Sequence, residues 1–210
     1  MENRSAQFTG RTITAAFIAM VAWFAIILQF YLSTASIINF FSFFTIQCNL
    51  LVAVSLTIFV FLPSSKAGIF FSSLSTQSAI ALYIFIVALV YNTVLRGLLV
   101  LSGWGWFVDN LLHVIVPLLF VIYYFSYVKE GKLKWKDGIN WIYFPMAYLI
   151  YSLVRGAVVH WYPYPFLNAL TLGYPKVLLN VMVMIIVFFI SGLILIAFNR
   201  SKKSGTVKFQ

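Results

Sequence analysis

Six runs of about twenty mostly apolar residues fill most of this chain, each long enough for an α-helix to cross the roughly 30 Å hydrocarbon core of a bilayer. They read approximately as 13–32, 40–62, 78–101, 107–128, 141–159 and 175–198. With 9% charged residues against about 25% in soluble domains, little chain is left for a soluble domain or an extended linker. The expected fold is all-α: a polytopic membrane protein, one integral domain over residues 1–210 built as a six-transmembrane-helix bundle. The first run follows Arg4 and Arg11, as a signal peptide's core would, but such a core spans about 7–15 residues and this one nearly twenty, so it reads as a span. The lone Cys48 has no partner for a disulfide within the chain and says nothing of redox compartment.

Orientation follows from the cations. Arg4 and Arg11 precede the first span, Lys66 lies between the second and third, Lys129, Lys132, Lys134 and Lys136 between the fourth and fifth, and Arg200, Lys202, Lys203 and Lys208 after the last. Eleven of the fourteen Lys and Arg residues thus fall on one side, and the two loops between spans one and two and between three and four carry none. The positive-inside rule then predicts cytoplasmic N and C termini. The net charge of +10 is explained by that topology together with attraction to anionic lipid at the cytoplasmic face, and calls for no nucleic acid. Trp104, Trp106, Trp161, Tyr162 and Tyr164 fall at the outer boundary, and Trp135 and Trp141 at the inner one, where amphipathic rings settle.

The remaining cations, Arg96, Arg155 and Lys176, all fall at outer helix ends, as does Asp109, the one acid outside the cytoplasmic segments. On these boundaries Arg96 stands five residues before the end of span three, Asp109 opens span four, His113 lies about 9–10 Å deep and Thr45 about 8 Å deep in span two. Four helices thus bring polar groups to one shallow layer, where an ionisable side chain is expensive to keep. Spacing gives these groups directions: Asp109 and His113, Thr45 and Asn49, and Asn92 and Arg96 are each i and i+4, so each pair shares a helix face. Structural readings stand beside the functional ones. A transmembrane Thr bonds to its own backbone or joins two helices, and Asn does the latter. Arg96 and Arg155 can snorkel to headgroups. Cys48 reads as packing and His160 as interfacial. The stretch from His160 to Pro175, broken by Pro163, Pro165 and Pro175, reads either as a surface loop or as a lid over the site.

The run Phe44-Thr45-Ile46-Gln47-Cys48-Asn49-Leu50-Leu51 and the run from Asp109 through His113 to Pro117-Leu118-Leu119 give the sequence a family likeness, together with Tyr148 to Gly156, Trp161-Tyr162-Pro163-Tyr164-Pro165-Phe166-Leu167 and Gly173-Tyr174. Over nearly its whole length the chain resembles the prokaryotic six-span membrane proteins related to the androgen-induced and androgen-dependent TFPI-regulating proteins of animals. The animal proteins are membrane threonine hydrolases of fatty acid esters of hydroxy fatty acids. The resemblance implies a Thr nucleophile at Thr45 and a His base at His113, and a multi-pass protein of a prokaryotic plasma membrane. It speaks to reaction type more than to substrate.

The leading expectation is therefore a membrane-embedded hydrolase of a lipid or fatty-acyl ester. In it Thr45 attacks, His113 takes the proton, Asp109 orients the imidazole, and Asn49, Arg96 and Arg155 bind substrate or oxyanion. No cofactor or metal is called for, since Asp109, His113 and His160 do not form a zinc spacing. The alternative is a small transporter or anion-binding membrane protein using Arg96, Arg155 and Lys176, although no inverted repeat or pair of broken spans is visible.

Overall fold

The structure, a computed structural model, describes residues 2–128 and 133–201, with side chains from Thr9 onward. Lys129, Lys132, Lys202, Lys203 and Lys208, and the side chain of Arg4, all used in the charge asymmetry above, lie outside the described residues. The described chain is helical, without strands, and six of its helical stretches are long and apolar enough to cross a membrane. They run Thr9–Leu32, Phe44–Phe61, Leu74–Leu95, Gly103–Tyr127, Asp137–Val159 and Tyr174–Ser201. Two compact units result, residues 1–128 and 129–210.

The first unit begins with α1 (Glu2–Leu32), which packs along α3 (Phe44–Phe61). Ala15, Ala19, Ala22 and Ala25 recur at three- and four-residue steps with Ile18 and Ile26, and all are buried. Small residues on that stripe let the two helix backbones approach closely and gain contact along their length. The opposite stripe, Ile13, Phe17, Met20, Phe24 and Ile27, is exposed. Trp23 adds one polar contact, donating its indole N–H to Thr57 Oγ1 at 3.1 Å.

Between these helices the short α2 (Ile37–Phe41) starts on Ser36, whose side chain accepts the Asn39 N–H, and stops where the Ser42 hydroxyl donates back to Ile38 O at 2.6 Å. The second span therefore begins at Phe44 rather than Phe40, and Thr45 lies in its first turn instead of about 8 Å inside. Past Pro63, α4 (Lys66–Ser72) leads to α5 (Leu74–Val90), capped by Ser73. The third span is correspondingly shifted: it starts at Leu74 and ends at Leu95. Arg96 is extended at its end and Gly97 adopts φ +89°, a conformation that favours glycine. The fourth span opens at Gly103 with α6 (Gly103–Asn110) and continues as α7 (Val116–Tyr127), so Asp109 sits nearly two turns inside it rather than at its mouth.

The second unit holds α8 (Asp137–Asn140), α9 (Tyr143–Val159), α10 (Ala169–Leu172) and α11 (Tyr174–Ser201). Asn199 Oδ1 accepts the Leu133 N–H at 3.2 Å and Arg200 donates to Leu133 O at 3.2 Å. Arg200 also lies over the Trp135 ring. The stretch from His160 to Gly173 is built from a 3₁₀ turn at Pro165–Leu167 and α10, tied to α11 by Asn180, which donates to Phe166 O at 2.9 Å. Gly156 is required there, because a Cβ at that position would enter the ring of Tyr162.

Candidate functional site

The site is organised around Pro117. A proline has no N–H to give to the carbonyl four residues back, His113 O, nor to Leu112 O if the turn widens by one residue. The chain answers with a π-helical turn, Leu111–Ile115, in which the Val116 N–H closes onto Leu111 O. Carbonyls freed by such a turn must find other donors. Asn49 Nδ2 donates to Leu112 O at 3.2 Å, and Asn92 Nδ2 reaches His113 O at 3.4 Å. A second π-helical turn, Tyr91–Leu95, lies at the end of α5 and is closed by the Arg96 N–H on Tyr91 O at 2.7 Å. Single π turns are frequent at functional positions, since they redirect side chains that a regular helix would spread.

His113 sits in the first of these turns, half-buried. Its Nδ1 lies 2.9 Å from Asp109 O and 3.1 Å from Asp109 Oδ1. Both are acceptors, so the proton on the ring's Nδ1 is directed at them, and in the neutral ring the lone pair is on Nε2. The expected Asp109–His113 face is therefore present, with the carboxylate fixing the tautomer.

Tyr91, from the second π turn, was not expected at the site. Its hydroxyl donates to Asp109 Oδ2, and its ring lies flat on the imidazole, centroids 3.7 Å apart and planes 11° off parallel. On a regular α-helix Tyr91 would stand one residue off the stripe defined by Asn92 and Arg96. The wider turn brings it to His113, and the sequence carries no periodic signal for that. Arg96 caps this cluster from outside: it lies 5.5 Å over the Tyr91 ring and donates to Asn110 Oδ1 at 3.2 Å. One bond to Asn110 occupies one of its five N–H donors.

Asn49 requires a correction. It is fully buried, and both hydrogens of its amide are committed, one to Leu112 O and one to Thr45 O at 2.9 Å. Two carbonyl neighbours fix which end of the amide is nitrogen, so Asn49 is a strut between α3 and the His113 turn and has no N–H for an oxyanion. Its Oδ1 is buried and accepts no hydrogen bond among the described residues. Through this amide the first turn of α3, carrying the buried Thr45, is tied to the residue next to His113.

Arg155 and Lys176 belong to the second unit, where Arg155 lies 4.9 Å over the Trp161 ring and Lys176 is exposed in the first turn of α11. Cys48 is buried in α3. His160 ends α9 in the left-handed conformation at φ 55°. Asp109 and His113 are two potential metal donors, and no group of three exists among the described residues. Neither a protein-family model, nor a curated protein, nor a solved structure matches this chain.

Proposed function

We propose that this chain is a membrane-embedded ester hydrolase that uses Thr45 as nucleophile and His113 as base on a lipid or fatty-acyl ester. The observation that carries the reading is the imidazole of His113. Its Nδ1 is held by Asp109, its Nε2 is left basic, and its turn is tied by Asn49 to the turn of Thr45. An acid that fixes tautomer and stabilises the imidazolium is the supporting member of a hydroxyl–imidazole–carboxylate triad. The residue likeness to membrane threonine hydrolases supports the same assignment.

In this mechanism Thr45 Oγ1 attacks the ester carbonyl carbon as its proton passes to His113 Nε2. The tetrahedral oxyanion is met by the Arg96 guanidinium, expected in that role from the sequence beside Asn49. Collapse breaks the ester C–O bond, the imidazolium returns its proton to the leaving alcohol, and an acyl-threonine remains. A water, deprotonated in turn by His113, adds to the acyl carbon and frees the carboxylic acid and Thr45.

The same reading includes insertion in a prokaryotic plasma membrane with cytoplasmic termini. It is supported by the six apolar helices, by large apolar side chains exposed along α11, among them Leu178, Leu179, Met182, Ile186 and Ile190, and by the Lys and Arg distribution. A soluble protein does not present continuous apolar helix faces to water. The site then lies near the outer leaflet, with the acyl chain in lipid and water entering from outside.

The test is a fluorophosphonate probe on the purified protein in detergent. Wild type and Cys48→Ala label, while Thr45→Ala and His113→Ala do not. Labelling that survives Thr45→Ala removes the nucleophile and the reading with it.

A further inference from the structure

We infer that Tyr91 is the positioning residue of the His113–Asp109 pair, fixing the imidazole's plane by stacking and the carboxylate's rotation by its hydroxyl. A carboxylate on a helix turns about its last side-chain bond. When only Oδ1 is engaged, that rotation moves it off Nδ1. Here the two oxygens are divided between two donors, Oδ1 to His113 Nδ1 and Oδ2 to the Tyr91 hydroxyl, so rotation breaks both bonds at once. The ring adds a second constraint. At 3.7 Å and 11° its face bars the imidazole from tilting toward Tyr91. Three observations show that this is a built arrangement. Tyr91 reaches His113 through a π turn, Asn92 beside it reaches toward the His113 carbonyl, and Arg96 after it covers the outer face of the Tyr91 ring. Consecutive features of one turn thus converge on one residue of another helix.

The consequence is a defined tautomer. With Asp109 pinned, Nδ1 keeps the proton and Nε2 keeps the lone pair. When Asp109 is free to rotate, Nδ1 keeps only the neutral backbone Asp109 O as acceptor and loses the charged one, so the preference for the Nδ1–H tautomer weakens and the fraction of rings able to accept a proton at Nε2 falls. Tyr91 acts through Asp109 and not on substrate, so its loss lowers kcat and leaves KM unchanged.

This inference rests on the hydrolase reading for its kinetic arm and is independent of it for its spectroscopic arm. Protein labelled with ¹⁵N-histidine in detergent micelles contains two histidines, and His113→Gln assigns the His113 signals. Wild type is expected to show the Nδ1–H tautomer alone, Tyr91→Phe a mixture, and Tyr91→Leu a mixture with a broadened ring signal. With p-nitrophenyl octanoate as substrate, Tyr91→Phe lowers kcat about tenfold, the worth of one hydrogen bond to a charged group, at constant KM. In an Asp109→Asn background Tyr91→Phe has no further effect on either readout, because the residue it acts through is gone. Should Tyr91→Phe fail to fold, Tyr91→Trp keeps a stacking ring while removing the hydroxyl and serves in its place. Wild-type histidine signals in the folded Tyr91 variant overturn the inference, as does a further loss in the Asp109→Asn background. A mixed tautomer in Tyr91→Phe, in a protein whose wild type hydrolyses nothing, sustains the positioning role and sinks the hydrolase reading instead.

Discussion

The seam between α1 and α3 and the seam between the third and fourth spans solve the same packing problem in opposite ways. Along α1 the helix is regular and its alanines let α3 approach closely, with the Trp23–Thr57 bond as a polar contact between them. Along the third and fourth spans, Pro117 and two π turns release carbonyls, and side chains from neighbouring helices take them up. That irregularity sets Tyr91 and Asp109 against one imidazole and ties Asn49 of α3 to the residue beside it. A close-packed seam gives stability; a seam with freed backbone groups gives placement, provided that each freed group finds a donor.

The contrast is broken most severely at His113. His113→Ala removes the only basic nitrogen of the cluster and is expected to lower hydrolysis of p-nitrophenyl octanoate by about 10³-fold or more, the scale of losing one member of a triad. The ring is only 14% exposed and holds Asp109 and Tyr91, so the same change is also expected to cost about 1–3 kcal/mol of stability, and the rate is compared per folded molecule. A rate within threefold of wild type would put the chemistry elsewhere.

Asn49→Ala comes next. It leaves Leu112 O without its side-chain donor inside the bundle, while Thr45 O keeps its helical N–H, a cost of about 1–3 kcal/mol by the desolvation of one buried acceptor. It also relieves the unsatisfied Oδ1. Unfolding followed by tryptophan fluorescence should shift down by several degrees, with slower probe labelling because the Thr45 turn is no longer tied to the His113 turn. Unchanged stability would show that the strut is not needed.

At the regular seam, Ala22→Leu forces extra methylenes between α1 and α3, where Ala22 has no exposed surface, and overpacking of that kind costs about 1–3 kcal/mol. Although α1 packs against the His113 turn and α3, none of its side chains bonds to Tyr91, Asp109 or His113, so labelling per folded molecule is expected to fall far less than in the site variants. A fall in labelling without a fall in stability would mean that the two seams are coupled.

Much of this contrast could be read from the chain before any coordinates. Hydropathy marked all six spans, and the spacing of Asp109 and His113 brought them together correctly, because both features depend only on helical period. The structure departs most from the hydropathy pattern where the helical period breaks. The second span starts later than hydropathy indicates because four of the five residues from Phe40 to Phe44 are phenylalanines, while the break at Ser42 lies in a side-chain hydrogen bond. Span three was carried too far because Leu98 to Leu101 is as apolar as the helix before it, while the chain turns at Gly97. Tyr91 was missed because only a π turn directs it at His113. Asn49 was given the wrong work because its partner, Leu112 O, is freed by a proline on another span.

Pro117→Ala is the mildest change of the set and the sharpest test of the cause assigned to the irregular seam. Alanine restores an N–H, and in a helix interior the preference for alanine over proline is about 3 kcal/mol. Most of that gain is already offset, because Asn49 and Asn92 satisfy the carbonyls that the proline abandons. Regaining a backbone bond also means giving up one of theirs, so the net stabilisation should be about 1 kcal/mol or less. The geometry, however, is expected to relax toward a regular helix, removing one residue from the turn and rotating Asp109 and His113 with respect to Tyr91. The ¹⁵N signals of His113 should then show mixed tautomers, with slower hydrolysis in a protein at least as stable as wild type. If Pro117→Ala kept both the tautomer and the rate, the π turn would be held by Asn49 and Tyr91 alone, and the proline would be a consequence of the site's geometry rather than its origin.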